Sequence, residues 1–143
     1  VIVQNLYRTR SVATLRLWGR ALARLKVNTE KTMVWTLLSQ QDFLHAGAQE
    51  QDLPDVIEEL ISSSPDASIA ILIYENNERS IQAIVRVRAQ HNALALTESL
   101  KSEGSREQVR ILFPPQPIVN VEKILLETLQ KNSNANSTNI SLT

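Results

Sequence analysis

Two arginines set two positions apart, Arg86 and Arg88, are the residues whose type and spacing point most directly to chemistry. They close the run Ile81-Gln82-Ala83-Ile84-Val85-Arg86-Val87-Arg88-Ala89, in which every odd position is apolar. A strand's period of two turns Ile81, Ala83, Val85, Val87 and Ala89 toward a core and puts Gln82, Arg86 and Arg88 on the opposite face. Side chains two positions apart on a strand stand roughly 7 Å from each other, about the spacing of successive phosphates along a nucleic-acid backbone. Such a pair can grip phosphate or carboxylate. Equally, both guanidiniums can lie over a solvated sheet face or pair with acidic neighbours.

The other reactive residue types form no constellation. His45 and His91 are the only histidines, and neither has a second ligand type at helix-face or strand spacing, so the chain offers no metal site. Its three glycines, Gly19, Gly47 and Gly104, make neither a phosphate-binding loop nor a dinucleotide fingerprint. No serine sits in a nucleophile elbow. Carboxylate pairs such as Glu58 and Glu59, or Glu75 and Glu78, read as solvated faces and turns. With no cysteine there is no disulfide or thiolate chemistry, a usage compatible with a reducing compartment, and a cytoplasmic location is the expectation.

The elements that position these residues follow from periodicity. Val12, Leu15, Trp18, Leu22 and Leu25 recur at helical spacing over Val12 to Lys26, with Arg16, Arg20 and Arg24 laddered on the far side. That ladder repels itself unless acids or phosphates lie alongside. Thr32 to Leu38 reads as a strand, and Ser39 followed by Asp42 as the cap of a short helix stopping near Gly47. Asp52 and Pro54 open another helix, burying Val56, Ile57, Leu60 and Ile61. Ile69 to Tyr74 is a nearly continuous apolar run suited to a central strand, joined by Asn76-Asn77-Glu78-Arg79 to the arginine strand as an antiparallel hairpin.

Asn92 caps a helix predicted to reach about Ser102, Gln108 to Phe113 is a fourth strand ended by Pro114 and Pro115, and Val121 to Gln130 is the last helix. From Asn132 the chain is mostly Asn, Ser and Thr, expected to be disordered. This order predicts an α/β fold, a mixed sheet of about four to five strands layered with helices.

The 143 residues suit one domain, and nothing approaches a membrane-spanning run. The zero net charge conceals an asymmetry. Residues 1–31 hold seven Lys or Arg against the single acid Glu30, whereas residues 39–78 hold nine acids and no Lys or Arg. The two segments can neutralise each other in the fold, so the basic one is weak support for an anionic partner. Beginning at Val1, the chain is expected to be a piece of something longer.

The wording Leu15-Arg16-Leu17-Trp18-Gly19-Arg20-Ala21-Leu22-Ala23-Arg24-Leu25, then Val34-Trp35-Thr36, Ile69 to Tyr74 and Ile84-Val85-Arg86-Val87-Arg88-Ala89 resembles the DHH phosphoesterase family, RecJ-like and oligoribonuclease-like proteins among them. The resemblance lies in the linker helix and the DHH-associated C-terminal domain, from about Leu6 to Gln130. It implies a manganese-dependent hydrolase acting as an exonuclease or phosphodiesterase, whose N-terminal domain holds the metals while the C-terminal domain holds substrate. Arg88 matches the family's phosphate-contacting arginine, and Arg86 stands where a serine is common. Where the family has a Gly-Gly-Gly-His loop, this chain has Ser102-Glu103-Gly104-Ser105. Only Gly104 matches, Ser105 takes the histidine's place, and Glu103 adds negative charge.

The resemblance therefore divides the chain into residues 1–27, a linker helix from a missing N-terminal catalytic domain, residues 28–131, the substrate-binding domain, and residues 132–143, the tail. The candidate substrate-binding residues are Arg88, Arg86, Gly104 and Ser105, with no catalytic or metal-binding residue. Manganese would belong to the missing domain, which is itself a partner. The expected ligand is a short single-stranded nucleic acid or a nucleotide phosphate. The alternative is a degenerate domain kept for dimerisation or protein–protein interaction; neither reading involves a membrane.

Overall fold

The register of one hairpin organises the molecule. In the structure, a computed structural model, β3 (Ile69–Glu75) and β4 (Ile81–Val87) pair antiparallel from Ile69 opposite Val87 to Glu75 opposite Ile81. Residues 11–142 are described except 29, 31, 77 and 79, and the side chains of 133–142 lie outside that description. Two residues of the predicted hairpin turn, Asn77 and Arg79, thus fall outside the described set.

Around this hairpin the sheet has six strands in the order β1-β2-β3-β4-β6-β5. β2 (Met33–Leu38) runs parallel to β3, and every other neighbouring pair is antiparallel. The fold is α/β with a mixed sheet, as the element order predicts. The strands beyond the predicted four are the two edges, β1 (Lys26–Val27) and β5 (Glu103–Gly104), each only two residues long. β6 (Gln108–Phe113) lies between β4 and β5, which reaches only Val109 and Arg110.

Each sheet face has its own core because strand side chains alternate. On one face α1 (Val12–Ala23), α2 (Gln40–Ala46) and α3 (Leu53–Ser62) cover Val34, Leu38, Ala70, Leu72, Tyr74 and Ile84. On the other, α4 (Ala93–Leu96) and α5 (Ile118–Leu142) pack Leu96, Val121, Leu125 and Leu129 against Ile71, Ile73, Ala83, Val85 and Ile111. β3 is buried on both sides from Ile69 to Tyr74, which explains its unbroken apolar run.

The local rules behind the helices are visible. Ser39 accepts from the Asp42 amide while the Asp42 carboxylate accepts from the Ser39 amide, a reciprocal cap, and Gly47 ends α2 at φ 68°. Pro54 sits in the first turn of α3, where its missing N–H costs nothing.

Several boundaries and faces differ from the sequence-based expectation: α1 ends at Ala23 instead of Lys26, because Lys26 and Val27 pair as β1, and Ala89, expected on the core face of β4, lies beyond the strand and is exposed. α1 is rotated: Thr14, Leu17 and Ala21 are buried in the core, Trp18 and Leu22 of the expected stripe pack against it only partly buried, and Val12 and Leu15 stay 62% and 46% exposed. Polar contacts set this phase, since Thr14 Oγ1 donates to Asp52 Oδ1 at 2.7 Å and buried Thr36 donates to the Ala21 carbonyl at 2.8 Å. α4 ends at Leu96 and is followed by a 3-10 turn, Glu98–Leu100, instead of continuing to Ser102. Thr97 Oγ1 donates back to the Ala93 carbonyl at 2.7 Å, a contact that loosens the last helical turn.

α5, expected over Val121 to Gln130, begins at Ile118 and its helical backbone continues to Leu142. Asn132, placed in the tail by composition, donates from Nδ2 to the Leu96 carbonyl at 2.6 Å. A nucleated helix extends at little cost per residue. Among the described residues no helix is long and apolar enough to cross a membrane.

Candidate functional site

The end of β4 carries the candidate site. Arg86 lies in the ladder, opposite Ala70 on one side and Gln108 on the other. Its Nη1 donates to Glu58 Oε2 of α3 at 2.9 Å and to Gln108 Oε1 at 3.2 Å. Both ends of this ion pair reach water, the Arg86 side chain being 30% and the Glu58 side chain 46% exposed.

Arg88 lies just past the strand and behaves differently. Its Nε donates to the Ala67 carbonyl at 2.7 Å, and its Nη2 donates to the carbonyls of Ile61 at 2.8 Å and Ser64 at 3.4 Å. Its own amide donates to the Ser68 carbonyl at 2.9 Å. These acceptors are the end of α3 and the turn into β3, where helix carbonyls lack intrahelical partners and attract a cation. The guanidinium is therefore a cap on α3. The two arginines do not form the free two-toothed comb that alternation suggests.

Between them lies an open concavity of about 490 Å³, walled by Arg86, Arg88, Glu58, Glu107, Gln90 and Ile61 among others. It is mixed in charge, with two arginines facing two carboxylates.

Gly104 and Ser105 reach the same end of the sheet through the β5–β6 turn. The Ser105 amide donates to the Gln108 carbonyl at 2.9 Å, and Ser105 Oγ accepts from the amides of Glu107 at 3.2 Å and Gln108 at 3.4 Å. Gln108 is the residue opposite Arg86, so the fold brings Arg86 and this turn to one corner. Gly104 has φ 144°, and a Cβ there would lie 2.9 Å from Val109 Cα. The glycine is thus required by the close approach of the two strands. Ser105 is occupied in holding the turn.

Sequence reasoning missed two arrangements, one around a fully buried carboxylate and one only partly buried. Asp42, fully buried, binds Arg20 through Oδ1 at 2.7 Å and Arg24 through Oδ2, so two rungs of the α1 ladder converge on one carboxylate. Burial pushes the Asp42 carboxyl up, but hydrogen bonds from Arg20, the Ser39 amide and Arg24, with the Arg24 charge, outweigh it and hold the group below its usual range. The ladder's need for an acid alongside was readable; which acid was not.

The second arrangement is His91, whose Nε2 lies 2.9 Å from Ser68 Oγ. Burial lowers its pKa below the usual histidine value. No sequence spacing links residues 68 and 91. His45 is exposed. Among the described residues no three His, Cys, Asp or Glu side chains group so as to hold a metal ion. That donor set does not fit the manganese centre that the resemblance assigns to an upstream domain.

No family model and no curated protein sequence matches the chain. Solved structures do share its fold. An exopolyphosphatase-related protein from Bacteroides fragilis superposes with a TM-score of 0.78 at 18% identity, over 91% of this chain and 38% of its own. The pGpG-specific phosphodiesterase PggH from Vibrio cholerae gives 0.59 at 13% identity, over 84% and 40%. RecJ from Thermus thermophilus, solved with Mg2+, gives 0.56 at 11% identity, over 87% and 18%. At these identities the likeness is one of fold. The chain spans less than half the length of each.

Proposed function

We propose that this chain is the substrate-holding, non-catalytic C-terminal domain of a longer DHH-type phosphoesterase, and that Arg86 is its anion contact. Two lines support the family: the wording around Trp18-Gly19-Arg20 and Arg86-Val87-Arg88, and a fold in common with an exopolyphosphatase-related protein, a phosphodiesterase and RecJ, each covered only in part. The observation that carries the site is the placement of Arg86. It stands on a rigid strand, beside the Gly104–Ser105 turn, on the wall of a concavity of about 490 Å³ with its guanidinium partly exposed. Arg88, the residue that matches the family's arginine, is engaged with three carbonyls and supports the corner from behind.

The ligand class is a phosphate on a short single-stranded nucleic acid or a nucleotide. Manganese and the hydrolytic step belong to the upstream domain, and this chain alone is expected to give no manganese-dependent turnover. Calorimetric titration of a short oligonucleotide at two salt concentrations tests the reading. Arg86→Ala should cost about 1.5–3 kcal/mol of binding, the loss of one charge-assisted contact. Identical isotherms for wild type and Arg86→Ala would reject it.

A second reading, a degenerate domain serving dimerisation or protein–protein contact, is favoured by Glu58 and Glu107 on the same wall. Carboxylates repel phosphate. Under that reading no oligonucleotide binding passes through Arg86.

A further inference from the structure

We infer that Glu58 is an internal competitor for the anion site: its carboxylate occupies the Arg86 guanidinium in place of ligand phosphate, so ligand binding is an exchange of anions on one cation. This inference rests on the reading of Arg86 as the anion contact. Three observations lead to it.

Glu58 Oε2 lies 2.9 Å from Arg86 Nη1, the distance of a charge-assisted hydrogen bond. The two residues come from different elements, α3 and β4, and both line the same open concavity, so an entering anion meets the pair at its seam. Finally, the pair is water-accessible at both ends, unlike the Asp42 cluster, whose carboxylate is fully buried.

Exposure decides the energetics. A solvated ion pair is weak enough to be exchanged, whereas a buried one is not. A phosphate offers the guanidinium the same acceptor geometry as a carboxylate and can take it bidentately. Gln108 Oε1, bonded to the same nitrogen at 3.2 Å, stays behind as a neutral tether that keeps the guanidinium in place when Glu58 leaves. Glu58 then faces the bound anion as an unpaired negative charge. That carboxylate repels the bound anion in proportion to the anion's charge, which lowers the affinity of the site.

The test is fluorescence polarisation of a short labelled single-stranded oligonucleotide, with inorganic phosphate as a displacing anion, on wild type, Glu58→Gln, Arg86→Ala and the double variant. Glu107→Gln removes the same charge from the same wall without touching the ion pair and sets the background. Glu58→Gln should bind about fivefold tighter than wild type, the release of one solvated ion pair. Glu107→Gln should change little, and Arg86→Ala should abolish the gain in the double variant.

If Arg86→Ala weakens binding but Glu58→Gln leaves it unchanged, the competitor is wrong and the anion contact stands. A gain that persists without Arg86, or is matched by Glu107→Gln, is a general charge effect and also overturns the competitor. If Arg86→Ala has no effect in either background, or no protein binds, the anion contact itself falls and the inference with it.

Discussion

Arg88 holds the carbonyl of Ile61 through Nη2 at 2.8 Å, binding the residue after β4 to the last turn of α3. Together with the bond to Ala67, this places a charged donor on two backbone acceptors that sequence alone leaves unassigned. Arg88→Ala should therefore destabilise the fold by about 2–4 kcal/mol, because the charge-assisted bonds to Ala67 and Ile61 are lost, although Ile61 and Ser64 keep the amides of Ser64 and Ala67 as partners. Lysine keeps the charge but not the planar fork and should recover less than half of the loss. Urea denaturation of the three proteins measures this. A stable Arg88→Ala protein that loses only ligand binding would reassign Arg88 to the site.

Asp42 makes the fold sensitive to acid. Its folded-state pKa lies below the usual value of 3.8, so it contributes stability that is fully present above the unfolded pKa and is lost as pH falls through the folded one. Asp42→Asn should lower stability near neutrality by about 2–4 kcal/mol, less than for a fully buried pair because Arg20 and Arg24 keep contact with water. It should also flatten the acid limb below about pH 4. Denaturation at a series of pH values shows both effects, and an unchanged acid limb would contradict the assignment.

His91 acts in a different window. Because burial depresses its folded pKa, the unfolded chain takes up the proton first as pH falls below about 6.5, and stability drops from there down to the folded pKa. NMR titration of the ring should give a midpoint under the ordinary histidine value. Ser68→Ala removes the partner of Nε2 and should alter the ring-nitrogen shifts without unfolding the chain.

Gly104→Ala should cost on the order of 1–3 kcal/mol, since the residue adopts φ 144° and a methyl group would press on the Val109 backbone. Thermal unfolding measures it directly. Gly19, whose added Cβ meets nothing within 4 Å, is the control: Gly19→Ala in the middle of α1 should raise stability slightly.

Most of the fold was readable because its strands are either alternating or fully apolar, and each pattern has one interpretation. Ile81 to Val87 placed its core face correctly, and Ile69 to Tyr74 had to be central. The phase of α1 was not readable: Val12, Leu15, Trp18 and Leu22 make as good a stripe as Thr14, Leu17 and Ala21, and the choice was made by the Thr14 and Thr36 hydroxyls meeting distant partners. The corner around Arg86 was legible as a strand with paired cations. What each cation does was not, because Ile61, Ser64 and Ala67 recruit Arg88 through backbone carbonyls, which leave no mark on side-chain type.

The two-residue edge strands bear on self-association. An exposed strand of ordinary length is a template on which another chain can continue the ladder, the usual start of fibrous growth. β1 offers two residues. At the opposite border β5 covers Val109 and Arg110, leaving Ile111 to Phe113 with Pro114 and Pro115 directly behind them. Neither border gives an incoming strand a run long enough to propagate. Lengthening the sheet is thus a poor route by which a second copy of this chain could join the first.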